Sequence, residues 1–266
     1  KERLGVYATL LVIPTFVRLL NQFGLETLIN KKIPELNVLD PSGRQARYLI
    51  QRLLAIRGAS SIFFCALIYV CLHYYMDFMG TPHLMEYRLV LILYFFIISL
   101  NSLLSTLFMT RLQYKTVSMT ETGCAFLNLA FLGLFIVLDY GIYGILYAYI
   151  IATTINILVY MALVSHDLKG ATEVPDLKEL PSLAWASYMI TLFSFGLITQ
   201  SDVLLMNYFQ VAQEKIGFYH LATGLGGMLA FVMMGVGPMA FSILTETYAR
   251  DSEKGMSKIW CQIVGF

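Results

Sequence analysis

The stretch "GVYATLLVIPTFVRLLNQFGLET", residues 5–27, decides how the chain is read. Its first half is apolar enough for a bilayer, yet Arg18, Asn21, Gln22 and Glu26 follow before the apolar character resumes. Similar apolar runs recur along the whole chain. Of 266 residues, 58% are hydrophobic and 13% charged, where a soluble domain carries about 25% charge. The runs approach the ~20 residues that cross a ~30 Å hydrocarbon core, and mean hydropathy is +0.69. The expected fold class is therefore all-α, a polytopic transmembrane helical bundle.

Hydropathy places seven full spans, at 5–27, 55–77, 88–110, 117–138, 142–165, 183–207 and 216–240, with an eighth starting near 257. The loops between them alternate in basic content. One set holds Lys31, Lys32, Arg44, Arg47, Arg52, Arg57, Arg111, Lys115, Lys169, Lys178, Arg250, Lys254 and Lys258; the other holds Lys1, Arg3, Arg88 and Lys215. The excess of cationic residues marks the cytoplasmic side. Loops 28–54, 111–116, 166–182 and 245–256 are thus expected in the cytoplasm. The outer loops "MGTPHLME" (79–86) and "NYFQVAQEK" (207–215) are too short to hold an aqueous catalytic domain. Tyr74, Tyr75, Tyr87, Tyr140 and Tyr143 gather at the outer interface, as an aromatic belt does.

A repeat organises the chain. "LGVY" at 4–7 recurs as "IGFY" at 216–219, and at the same offset Gly43 of "DPSGRQAR" falls on Gly255 of "DSEKGMSK". "HDLKGATEVPDLKELPS", 166–182, reads as a polar linker. The expected organisation is a first lobe at 1–166 lacking its first span, a cytoplasmic linker at 167–182 and the start of a second lobe at 183–266. The chain would then be a piece of a longer two-lobe protein. Repeats of this kind with a site near the midplane characterise transporters.

Chemistry-bearing residues are few. At about 100° per residue, Thr15, Arg18, Asn21, Gln22 and Glu26 share an arc of about 140° on the first expected span. A charge at the bilayer centre costs at least ~2.5 kcal/mol, so this face should meet protein or water. Pro14 invites a kink one turn before Arg18. Two roles are open for Arg18: binding an anionic group, since guanidinium pairs bidentately with phosphate, or tying helices together through Glu26 or Glu121. A second polar stripe, Ser187, Thr191, Ser194, Ser201 and Asp202, lies on span 183–207, with Gln200 beside it. Asp202 is either a cation site or an interfacial carboxylate. Asn101, Asn128 and Asn156 each mark a further span, where amides bond across helices. The glycines and Pro238 of "ATGLGGMLAFVMMGVGP" suit close packing or a hinge. The cysteines form no CxxC or Cys/His cluster, and no phosphate-binding loop, HExxH or GxSxG motif occurs. No catalytic residue, metal site, cofactor or nucleic-acid partner is expected.

Two segments carry a resemblance. "ERLGVYATLLVIPTFVRLLNQFGLETLINKKIPEL" (2–36) resembles the second span and following loop of the polysaccharide-biosynthesis flippases, the O-antigen and lipid-linked-oligosaccharide flippases of the MATE-like MOP superfamily. The matching residues are Gly5-Val6-Tyr7, Gly24-Leu25 and Leu28–Lys32. "SDVLLMNYFQVAQEKIGFYHLA" (201–222) resembles that family's junction between its seventh and eighth spans, through Ser201, Asp202, Leu205, Gly217 and Tyr219. The resemblance implies two six-helix lobes around a V-shaped cavity. It implies a transporter, not an enzyme, of the cell inner (plasma) membrane. This would move undecaprenyl-pyrophosphate-linked oligosaccharide from inner to outer leaflet by alternating access.

The cavity-lining candidates are Arg18, Asn21, Gln22, Glu26, Ser194, Gln200, Ser201 and Asp202. Partners implied are the lipid-linked oligosaccharide and membrane lipids, with coupling to H+ or Na+ and contact with glycan polymerase machinery left open. Alternatives are a MATE-type drug/cation antiporter and a membrane-embedded enzyme of glycan assembly. The first-lobe spans show no evident acidic cation site, which disfavours the antiporter.

Overall fold

In the computed structural model, residues 2–40, 42–78, 82–111, 113–165, 180–198, 201–226 and 243–247 are described. They are helical wherever they are regular, and no strand occurs among them. In chain order the helices are α1 (Glu2–Leu20), α2 (Leu25–Leu39), α3 (Arg44–Phe78), α4 (Arg88–Thr110), α5 (Tyr114–Val137), α6 (Gly141–Ser165), α7 (Leu180–Ile198) and α8 (Ser201–Tyr208), with a 3-10 turn at Pro82–Tyr87 before α4. A ninth helix, α9, covers 213–226.

Four helices are long and apolar enough to cross a membrane, at Arg44–Asp77, Leu84–Thr110, Tyr114–Val137 and Gly141–Ser165. They correspond to the expected spans from 55 to 165. The bent pair α1–α2 makes a fifth if it counts as one span. The seven full spans read from hydropathy are therefore not all present as such. Span 183–207 is covered by α7 and α8, with 199 and 200 outside the described residues. Most of 216–240, the eighth span and linker residues 166–179 also lie outside them.

Burial explains each helix's place. α4 packs against α1, α2, α3, α5 and α6 and buries residues on all sides, from Val90 to Thr110. α5 is apolar over its second half and buries only Val117, as a lipid-facing helix does. At 35 residues α3 is about 50 Å long, more than a bilayer requires. Its basic first turns, with Arg44 and Arg52 exposed, run past the apolar segment. Asp40 starts it by accepting hydrogen bonds from the Ser42 and Gln45 amides (3.0 Å each). The Ser42 hydroxyl, then the Gln45 amide, hold this carboxyl below the usual range.

α4 and α6 run in the same direction and meet along a seam with near-heptad spacing. Ring pairs Tyr87–Tyr143 (4.5 Å between centroids), Tyr94–Tyr149 (4.9 Å) and Phe108–Tyr160 (5.0 Å) flank a polar pair in which Asn156 Nδ2 donates to Asn101 Oδ1 (3.2 Å). This parallel register is the packing of a coiled coil. It stacks polar groups at fixed heights inside the bundle.

The main correction concerns residues 5–27. They do not form one helix. α1 ends at Leu20, Phe23 and Gly24 take left-handed φ values of 47° and 68°, and α2 leaves at a bend of 46°. The break falls at 21–24 rather than at Pro14, which lies inside α1. Glu26 consequently sits on a different helix from Arg18, and the single-helix arc does not hold. Gly24 is required on two counts. Its φ is left-handed, and a Cβ there would lie 2.3 Å from the carbonyl oxygen of Ala184 on α7. Gly24→Ala is expected to destabilise the protein by about 1–3 kcal/mol, read as a lowered thermal unfolding midpoint in lipid nanodiscs. An unchanged midpoint would refute this packing of the break.

Candidate functional site

A break inside a membrane helix exposes carbonyls that lipid cannot satisfy. Here every one of them from Leu20 to Gln22 is accounted for. The Tyr188 hydroxyl of α7 donates to Leu20 O (3.1 Å), Arg57 Nη1 of α3 donates to Asn21 O (2.5 Å), and Leu25 N donates to Gln22 O (2.9 Å). Arg57 also binds Glu26 Oε1 through Nη2 at 2.5 Å, and Ser102 of α4 donates to the same oxygen at 3.3 Å. One guanidinium thus joins the C-terminal end of α1 to the first turn of α2. Both contacts follow the helix dipoles, a cation at a C-terminus and a carboxylate at an N-terminus.

Above this clamp lies a neutral cluster. Asn21, fully buried, donates through Nδ2 to Ser61 Oγ (2.9 Å) and Ser99 Oγ (2.7 Å), and the two serines are 3.0 Å apart. Gln22 is half-buried in the break itself.

Arg18 is placed differently. It is half-buried in the last turn of α1, within electrostatic reach of Arg57, Tyr94 and Tyr149. Its Nε is buried without a hydrogen-bond partner, as are Asn21 Oδ1 and Arg57 Nε. Among the described residues no carboxylate pairs with it. Glu26 is taken by Arg57, and Glu121 is held by neutral donors, Asn156 Nδ2 (3.2 Å) and the Tyr160 hydroxyl (3.0 Å). Neither expected helix-tying partner is used. The cluster carries two guanidiniums against one carboxylate, an excess positive charge within electrostatic reach of Tyr94 and Tyr149.

The remaining candidates do not join this cluster. Asp202 is exposed on α8 and accepts a hydrogen bond from Tyr219 on α9. Gln200 and the side chains of Ser194 and Ser201 lie outside the described residues. Sequence reasoning missed Arg57, which it counted among the cytoplasmic loop cations. The structure corrects this: Arg57 is fully buried. The signal was its spacing, since Leu53, Arg57, Ser61, Phe64, Ile68 and Leu72 form one buried stripe at three- and four-residue intervals. Glu121, on α5, is bound by Asn156 and Tyr160 of α6. No His/Cys/Asp/Glu group able to hold a metal occurs among the described residues.

Residues 1–256 match the family model described as "Polysaccharide biosynthesis protein". The chain belongs to that family. No curated protein and no solved structure matches it. The membership agrees with the resemblance borne by residues 2–36 and 201–222, and it fits a multi-pass membrane protein of transporter type.

Within this member of the family, the two arginines should separate in experiment. Removing one partner of a buried pair costs about 3–5 kcal/mol, so Arg57→Met and Glu26→Leu should each lower the unfolding midpoint sharply. The double variant should recover part of the loss. Arg18→Ala should leave the midpoint near wild type. Equal destabilisation by Arg18→Ala would make Arg18 a structural residue.

Proposed function

We propose that the chain is part of a flippase for lipid-linked oligosaccharide, carrying an undecaprenyl-pyrophosphate-linked glycan unit from the inner to the outer leaflet of the plasma membrane. The observation that carries this reading is Arg18: a guanidinium on a membrane helix, beside a helix break, with no carboxylate partner among the described residues. Charges held inside membrane bundles mark substrate or ion paths, and broken helices at this depth form transporter sites. An unpaired guanidinium matches a pyrophosphate, which accepts bidentate hydrogen bonds. Family membership narrows the anion to one used in polysaccharide assembly.

Packing of the repeated segments supports a two-lobe layout with alternating access. α1, which bears "LGVY", meets α8 and α9, the latter bearing "IGFY". Ala8 and Val12 pack on Val203 and Ile216, and the Thr9 hydroxyl lies 3.1 Å from both Asn207 Oδ1 and Gln213 Oε1. Gly5 permits the approach, since a Cβ there would fall 1.8 Å from Gln213 O. Two halves related by a pseudo-two-fold axis bring equivalent elements together at that axis. In the same reading the basic loops face the cytoplasm, and the glycan reaches its polymerase on the opposite side.

The test is display of surface glycan in cells producing the whole protein. Arg18→Ala is expected to abolish display at unchanged protein level and membrane insertion, while Arg18→Lys, which keeps the charge but loses the planar fork, retains part of it. Normal display in Arg18→Ala would remove the substrate role.

A further inference from the structure

α5 starts beside the basic segment 111–116 and runs away from it, so the turn between α5 and α6 lies at the opposite end of the bundle. Its shape is fixed by the backbone. The amides of Asp139 and Tyr140 donate back to Ile136 O and Phe135 O (3.1 Å each). Asp139 and Gly141 take left-handed φ values of 54° and 57°, and the Tyr140 ring lies 5.4 Å from that of Phe135. The turn and the start of α4 enclose a recess of about 230 Å³, lined by Tyr87, Asp139, Tyr140, Gly141, Ile142 and Tyr143.

The tyrosines here do more than anchor the bundle at a membrane interface, where anchoring rings lie among the headgroups. Tyr87 is only 8% exposed and packs against Tyr143 at 4.5 Å. The Tyr143 hydroxyl donates to Glu86 O (3.1 Å), which sets the angle of its ring. Tyr140 is 50% exposed. Asp139 is also exposed, and among the described residues its carboxylate has neither a hydrogen bond nor an ion pair. It does not cap α6. The turn needs a residue that tolerates the left-handed region, which Asn does as well, so the backbone does not require the charge.

The wall of the recess is mainly polar, and its volume falls below the ~300–1,000 Å³ of sites that take drug-sized ligands. One sugar ring suits both the size and the chemistry. A pyranose presents an apolar C–H face and a rim of hydroxyls. A tyrosine ring covers the first. A carboxylate, which only accepts, takes hydroxyl hydrogens at its two oxygens. A metal ion is poorly matched, because Asp139 is the one carboxylate in the lining and no metal-holding group occurs among the described residues.

We propose that this recess is a saccharide-binding subsite that takes one neutral hexopyranose unit, with Asp139 accepting from its hydroxyls and the tyrosines packing on its ring. The role, though not the chemistry, rests on the flippase reading given above. With the basic loops in the cytoplasm, the turn faces the outside, where a glycan unit emerges. A sugar held there is retained at the exit, and the negative charge of Asp139 selects against acidic sugars.

Saturation-transfer NMR on the purified whole protein in nanodiscs tests this without transport. The probes are the methyl pyranosides of glucose, galactose and mannose, N-acetylglucosamine, and methyl glucuronide as the charged control. Transfer to at least one neutral sugar is expected, and none to the glucuronide. Asp139→Asn, which keeps a residue suited to the turn, should weaken binding about tenfold, as loss of a charge-assisted hydrogen bond does. Tyr140→Ala should weaken it as well, and both variants should unfold at the wild-type midpoint. Asp139→Asn decides alone if Tyr140→Ala does not fold. No transfer to any neutral sugar, or equal transfer in wild type and Asp139→Asn, overturns the subsite. Transfer to choline alone, lost in Asp139→Asn, makes the recess an ammonium cage and overturns the sugar assignment. Surface glycan in Arg18→Ala is read separately, so the flippase reading and this subsite fail independently.

Discussion

The fold of the first half hangs on a single guanidinium. Arg57 reaches from the middle of α3 to the carbonyl of Asn21 and the carboxylate of Glu26, so it holds together two helices that the chain has deliberately separated by left-handed residues. Replacing the break with four continuous helical residues would need no such group, because each carbonyl would find its own amide. Breaking the helix instead redirects α2 by 46° and ends α1 just after Arg18, which lies in its last turn. The desolvation of Arg57 is offset by a carboxylate, a carbonyl and the field of two helix ends. Without that combination, neither the bend nor the orientation of Arg18 would persist.

The helices that hydropathy reveals well are those for which lipid exposure is the governing constraint. α5 shows this plainly: only Val117 is buried, so composition carries its extent. α4 and α6 were equally legible because both are apolar on all faces, although their seam was not. Its heptad of Tyr87, Tyr94, Asn101 and Phe108 mixes aromatic and amide residues, and a hydropathy average cannot distinguish such a ladder from ordinary apolar sequence. Residues 5–27 failed for the same reason. Window hydropathy runs through 21–24, while the break is written in single positions: Gly24 where a helix ends and Glu26 where the next begins.

The candidate site was half legible. Arg18, Asn21 and Glu26 stood out as polar residues in an apolar run, and the structure brings them within one neighbourhood. Their division of labour was hidden, because it depends on Arg57, thirty-one residues further along from Glu26. A basic residue at the edge of an apolar run is ordinarily a loop anchor, and Arg52, exposed on the same helix, is consistent with that rule. What distinguishes Arg57 is phase. It occupies the buried stripe of α3, where any cation must meet a partner.

Charge accounting then separates architecture from function. Among the described residues, Arg57 and Glu26 neutralise each other in direct contact and can be understood wholly as structure. Arg18 and Glu121 have opposite signs, yet among the described residues no ion pair joins them, and Glu121 is bound by Asn156 and Tyr160 instead. If stability were the only requirement, direct pairing would relieve both. Left without that pairing, Arg18 keeps a charge that an anion from outside the chain can complement.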